Sequence, residues 1–127
     1  NLIEEGSDIS IITYGMGVHW AIEVLNNNPD ISADLIDLRT LVPLDEEMVF
    51  KSVKKTGKVI VLHEDCMIGG FGADLAAMIS DKCFEYLDAP IIKVSSLDTP
   101  IPFTESLENN YLAKSRILDS FKKLHSF

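Results

Sequence analysis

The sequence predicts a three-layer α/β/α sandwich around a mostly parallel sheet. Three observations carry this reading. Apolar runs of strand composition alternate with helical patterns four times along 127 residues. The run Val59-Ile60-Val61-Leu62 is unbroken, as in strands buried on both faces, and it empties into the charged cluster His63-Glu64-Asp65. Two glycine-rich turns, Gly15-Met16-Gly17 and Gly69-Gly70-Phe71-Gly72, each follow a strand pattern and open a helical one. Parallel strands joined this way need right-handed crossovers. Sites in such sheets are built at the carboxyl edge.

The elements follow in order. Asn1 to Glu4 reads as a short edge strand, and Glu5-Gly6-Ser7-Asp8 as a turn. Ile9 to Tyr14 is a strand rich in isoleucine and threonine. Val18 to Asn26 is a helix whose Val18, Ala21, Ile22 and Leu25 share one face, and Pro29 closes it. Ala33 to Leu38 is the next strand, and Arg39 to Leu44 a loop. Asp45 is placed to cap a helix with Glu46 and Glu47 at its positive end and Lys54, Lys55 and Gly57 at its close. After the Lys58–Leu62 strand, a helix from about Phe71 to Phe84 buries Phe71, Leu75, Met78 and Ile79. Ile91 to Ser95 is a strand, and Asp98 to Phe103 a proline-stiffened loop. Thr104 caps a short helix through Tyr111. The last helix, Ser115 to His125, turns Ile117, Leu118, Phe121 and Leu124 inward.

Composition narrows the function classes. At 46% hydrophobic and 24% charged, the chain buries a core and is not disordered. No apolar run is long enough to cross a bilayer and no secretory signal is visible. A net charge of −9 argues against nucleic acid and anionic membranes and favours a basic protein partner. Cys66 and Cys83 lack the paired spacing of a zinc site, and a cytoplasmic, reducing compartment fits them. The chain begins at Asn1 rather than Met, so it reads as one domain, residues 1–127, excised from something longer.

Three motifs invite chemistry. Gly15 and Gly17 open a helix, and Asp37 lies twenty positions beyond Gly17, so together they resemble a dinucleotide fingerprint. The third glycine is missing, and Trp20 would crowd the close packing it permits. The other reading is a tight strand-to-helix turn. The Gly69–Gly72 turn lacks the Lys-Ser/Thr of a phosphate loop and is flanked by Asp65 and Asp74, so close approach of another backbone or subunit explains it better. On a strand, His63 and Asp65 face one way and Glu64 the other, too few groups for a metal site.

Several segments together resemble a known family. They are Ile11 to Val18, Ile36 to Asp45 (Asp-Leu-Arg-Thr-Leu-Val-Pro-Leu-Asp), Val53 to Lys58, His63-Glu64 with Gly69 to Asp74, and Asp98 to Pro102 with Leu107-Glu108 and Tyr111-Leu112. In this order they resemble the C-terminal, transketolase-type domain of the beta subunit of 2-oxo acid dehydrogenases, most like the branched-chain (2-oxoisovalerate) type. The resemblance implies a five-stranded mixed, mostly parallel sheet, with the N-terminal segment as an antiparallel edge strand beside Ala33–Leu38. It implies a whole enzyme that oxidatively decarboxylates a 2-oxo acid with thiamine diphosphate and magnesium and passes the acyl group to lipoamide. The fragment alone would be inactive and hold no cofactor, because no catalytic, cofactor-binding or metal residue of the family falls within it.

The domain's role by resemblance is assembly and docking. Its partners would be other domains and subunits of the dehydrogenase and the basic subunit-binding domain of the dihydrolipoyl acyltransferase. Glu64, Gly69, Gly70, Phe71, Gly72, Asp98, Pro100, Phe103 and the terminal Phe127 are the implied interface, with an apolar patch bare around Phe71 and Phe103. Cys66-Met67-Ile68 departs from the smaller or more polar residues of many relatives. The alternative is a stand-alone Rossmann-like nucleotide-binding domain using Gly15, Gly17 and Asp37. A third, a deoxyxylulose phosphate synthase, is disfavoured by the Leu107-Glu108 and Tyr111-Leu112 ending.

Overall fold

The computed structural model describes residues 1–98, 104–106 and 112–127. Five strands form one sheet: β1 (Leu2–Glu4), β2 (Ile9–Thr13), β3 (Ala33–Asp37), β4 (Val59–Cys66) and β5 (Ile92–Ser96). Their spatial order is β1-β3-β2-β4-β5. β1 runs antiparallel to β3, and every other pair is parallel. The fold class is the one the sequence implies, with β2 and β4 both interior to the sheet. Among the described residues, the helices of defined extent that connect or follow the strands are α1 (Met16–Asn27), α2 (Glu46–Thr56), α3 (Phe71–Cys83) and α4 (Ile117–His125).

Each face of the sheet has its own core. Ile9, Ile11, Leu35, Ile60 and Leu62 meet Trp20, Ala21 and Leu25 of α1 and Phe121 and Leu124 of α4. On the other face Ile12, Ile36, Val59 and Val61 meet Val49 and Val53 of α2 and Leu75 and Ile79 of α3. All five residues of β2 are buried, which is why that strand carries no polar face. The chain steps from β2 to β3 through α1, then back past β2 to β4 through α2 on the opposite face. The direction of winding therefore reverses between β2 and β4, and the crevice of the fold opens beyond their carboxyl ends.

Several local expectations differ from the structure in detail. α2 carries every signal read from the sequence: the Asp45 carboxylate accepts from Met48 N at 3.1 Å, and Gly57 takes a left-handed φ of 70°. β4 runs four residues past Leu62, because Cys66 still pairs with Ser96 after a shift in register. α3 stops at Cys83, and Phe84–Tyr86 form a 3₁₀ turn with Phe84 at the surface. Trp20 is not crowded out but lies in the α1 core. Leu118 is only half-buried, at the rim of α4. Of the helix expected from Thr104 to Tyr111, only residues 104–106 are described, and most of the proline loop lies outside the described residues.

The amino ends of β2 and β3 hold a closed polar network. Asp34, 2% exposed, accepts from Lys55 Nζ at 2.7 Å, Ser52 Oγ at 2.7 Å and Gly6 N at 2.9 Å. Ser10 Oγ lies 2.6 Å from Ser52 Oγ and 2.7 Å from Thr56 Oγ1. Burial alone would raise the Asp34 carboxyl. The hydrogen bonds and the Lys55 charge outweigh it and hold it below its ordinary 3.8. Asp34→Asn is expected to cost about 1–3 kcal/mol at neutral pH, measured by urea unfolding. Because the folded-state value is depressed, the difference is full above 3.8 and shrinks as pH falls through the folded value.

Candidate functional site

The carboxyl edge is built from the turns that leave β2, β3, β4 and β5. Where β2 and β4 end, Tyr14 stacks on His63 at 6.2 Å and 16°, and Phe71 meets Tyr14 edge-on at 6.3 Å. His63 is completely buried, although it sits at the strand end. The first turn of α3 lies directly on it. A Cβ on Gly72 would come 2.2 Å from His63 Nε2, and one on Gly70 would come 2.3 Å from the Cys66 carbonyl and 2.7 Å from His63 Cε1. These two glycines therefore serve close approach within the chain, Gly70 to the Cys66 backbone and both to the His63 ring. Gly69 is different: it is exposed, with φ +79° and nothing near its missing Cβ. It is glycine for its backbone angle.

Around this buried cluster the edge is apolar and acidic. Val42 in the turn after β3 is 87% exposed, and Ile68 in the turn after β4 is 80%. Met16, Met67 and Leu97 are also exposed at the ends of β2, β4 and β5. A cleft of about 270 Å³ between the β3–α2 loop and α3 is lined by Val42, Pro43, Leu44, Phe71, Leu75 and Met78. Glu46 and Asp74 stand at its border, and Glu64, Asp65 and Asp98 are exposed on the same edge.

The residues expected at the interface separate into three groups. Glu64, Gly69 and Asp98 are exposed at this edge, with Asp98 accepting from Ile68 N at 2.8 Å. Gly70 and Gly72 are buried, and Phe71 is half-buried against the α3 core, so the bare patch is not centred on Phe71. Phe127 lies at the opposite edge, where Lys58 Nζ donates to its carbonyl at 2.8 Å. Pro100 and Phe103 lie outside the described residues. The sequence reading missed Met16, Val42, Met67, Ile68 and Leu97. Their signal is weak: single apolar residues inside turns, with no periodicity to mark a face.

The nucleotide-binding alternative is not supported. Gly17 is glycine because a Cβ there would come 2.1 Å from Thr13 Oγ1, and Gly15 because its φ is +59°. Trp20 fills the space under α1 that a dinucleotide fold keeps clear, and the Asp37 carboxylate accepts from Arg39 Nε at 3.3 Å. Among the described residues no three His, Cys, Asp or Glu side chains converge to hold a metal ion. No described helix is long and apolar enough to cross a membrane.

The chain is an α/β domain whose carboxyl edge is apolar and acidic. Comparison with known proteins gives the family. Residues 1–116 match the model of the transketolase C-terminal domain, and the chain belongs to that family. It is 37% identical over 97% of its length to the pyruvate dehydrogenase E1 component subunit beta of Rickettsia felis. It is 41% identical over 95% to the 2-oxoisovalerate dehydrogenase subunit beta 2, mitochondrial, of Arabidopsis thaliana, and 40% over 85% to the 2-oxoisovalerate dehydrogenase subunit beta of Bacillus subtilis. It spans between 34% and 39% of those relatives. Among solved structures it resembles a split-gene transketolase, an inactive beta4 tetramer, with a TM-score of 0.80 and 27% identity over 99% of this chain and 41% of that one.

The contact between α3 and His63 is directly testable. Gly72→Ala adds a Cβ 2.2 Å from the ring, and overpacking of this kind costs about 1–3 kcal/mol. In a His63→Ala background the clash is gone, and the same change should turn neutral or stabilising by up to ~1 kcal/mol through helix propensity. Chemical denaturation of the four proteins in that cycle measures the reversal.

Proposed function

We propose that this chain is the C-terminal assembly domain of the beta subunit of a 2-oxo acid dehydrogenase, acting on 2-oxoisovalerate or pyruvate. The whole enzyme would decarboxylate the 2-oxo acid with thiamine diphosphate and magnesium and pass the acyl group to lipoamide, with neither cofactor held by this domain alone. Residues 1–127 would be the tail of a longer polypeptide. Its partners would be the enzyme's other domains and subunits and the basic subunit-binding domain of the acyltransferase. Cys66 and Cys83 are not joined in a disulfide, and a cytoplasmic, reducing setting would suit them.

One observation carries the docking role: Val42 and Ile68 stand more than three-quarters exposed on one sheet edge, among carboxylates. Large apolar side chains so placed mark an interaction surface. Glu64, Gly69 and Asp98, exposed on the same edge, would lie in that interface. Gly70, Phe71 and Gly72 would act beneath it by shaping the turn.

The test is the full-length subunit with Val42→Glu and Ile68→Glu together, mixed with its partner subunits and followed by sedimentation. Assembly should weaken at least ~10-fold, equal to ~1.4 kcal/mol. The thermal midpoint should hardly move, because both sites are exposed. Lipoamide-dependent decarboxylation should fall with assembly. Unchanged assembly by the folded variant would remove the edge from the interface, and a full-length protein without 2-oxo acid decarboxylation would remove the dehydrogenase reading.

A further inference from the structure

His63 is the buried titratable group that neither packing nor docking explains. It is 0% exposed, and among the described residues neither Nδ1 nor Nε2 makes a hydrogen bond of good geometry, although the Asp65 backbone favours a proton there. Ser95 Oγ, next along β5 after the Leu62–Val94 pair, is also buried without a partner. A buried polar group left unpaired costs free energy, and a buried unpaired cation costs far more.

We propose that His63 is a proton-sensitive latch on the turn formed by residues 66–70. The neutral ring holds the turn closed against α3, and the protonated ring forces it open, displacing Met67 and Ile68 from the carboxyl edge. The proposal deepens the docking role above and rests on it only for the consequence in assembly.

The surroundings set the direction. Gly70 and Gly72 press on the ring and leave no room for a counter-charge at Nε2. From β2, Tyr14 stacks on the ring; burial first, then the Asp65 charge, keep its hydroxyl protonated above its ordinary value, so it offers no anion. From β5, the Lys93 charge opposes protonation. From α3, the amino-terminal end of the helix opposes it too. Asp65, on the ring's own strand, favours it through its charge and its backbone. Burial outweighs Asp65 and lowers the His63 value below its ordinary 6.5.

The turn is the part able to yield. Met67, Ile68 and Gly69 are exposed, and the bonds Ile68 N to Asp98 Oδ1 and Cys66 N to Asp65 Oδ1, each 2.8 Å, fasten the turn from the solvent side. Opening it hydrates the ring while the strand stays paired. The sign follows from linkage. Closed, the ring is neutral; open, it titrates near 6.5. The closed state is therefore fully favoured above that pH and loses ground as pH falls through it.

Hydrogen exchange on the full-length protein between pH 7.5 and 5.0, corrected for intrinsic rates and read without any partner, tests this. The opening constant of residues 66–72 should rise as pH falls below 6.5, by at most about 10-fold per pH unit, while α2 stays flat. In His63→Phe or His63→Gln, whichever folds, the rise should vanish. It should persist in His19→Gln and His125→Gln, both of which change exposed rings. A flat wild-type profile over residues 66–72 overturns the latch, and so does a rise shared equally by α2, which would report global unfolding. A turn that opens with acid while assembly stays intact would overturn the docking role and leave the latch standing.

Discussion

The burial of β2 and β4 on both faces is the constraint from which the rest of the molecule follows. Ile9 to Thr13 and Val59 to His63 have no exposed side, so helices must cover both faces and polar groups collect at the strand ends. The two ends meet that demand differently. At the amino end every polar group finds a partner in the Ser10–Ser52–Thr56–Asp34–Lys55 network. At the carboxyl end Thr13 Oγ1, both nitrogens of His63 and Ser95 Oγ have none among the described residues. Beside those orphans stand the exposed apolar residues of the edge. One end of the sheet is finished internally; the other spends stability that a purely structural domain would keep.

What the sequence made legible was local. The α2 cap, its acidic start, its basic end and its closing glycine depend on residues within a few positions of one another, so the pattern alone places the helix. The alternation of strands and helices fixes the layers, and the family resemblance supplied the antiparallel β1. The roles of Gly17, Gly70 and Gly72 were not legible, because each is set by atoms of a strand below: Thr13 Oγ1 for the first, the Cys66 carbonyl and His63 for the second, His63 for the third. Sequence shows that a glycine is present; it does not show whether a backbone angle or a neighbour requires it. Gly15 and Gly69 answer to the angle, Gly57 to both angle and neighbour, and Gly6, Gly17, Gly70 and Gly72 to the neighbour.

The exposed edge was illegible for a related reason. Periodicity reveals faces of helices and strands, but Val42, Met67, Ile68 and Leu97 sit in turns and strand ends, where no period exists. Their common location follows from topology, because the turns after β3, β4 and β5 all end at the same edge of a parallel sheet. Phe127 shows the converse. It is apolar and 58% exposed, yet α4 runs back along the sheet and delivers it beside Lys58 at the amino edge.

The same topology sorts charge. α2, α3 and α4 begin with Glu46 and Glu47, Asp74 and Asp119, and finish with Lys54 and Lys55, Lys82, and Lys122, Lys123 and His125. Each choice favours its own helix through the peptide dipoles. In a parallel sheet the crossover helices run opposite to the strands, so α2 and α3 collect their acids at the carboxyl edge and their bases at the amino edge. α4, running from Ser95 back to Lys58, does the same. The net charge of −9 is therefore not spread evenly: helix capping concentrates acid where the apolar residues are bare. A basic partner would be steered to that edge and held off the other, where Lys58 and the end of α4 present positive charge beside Phe127. Orientation in the assembly would then be a consequence of how the helices are stabilised, with no residue set aside for it.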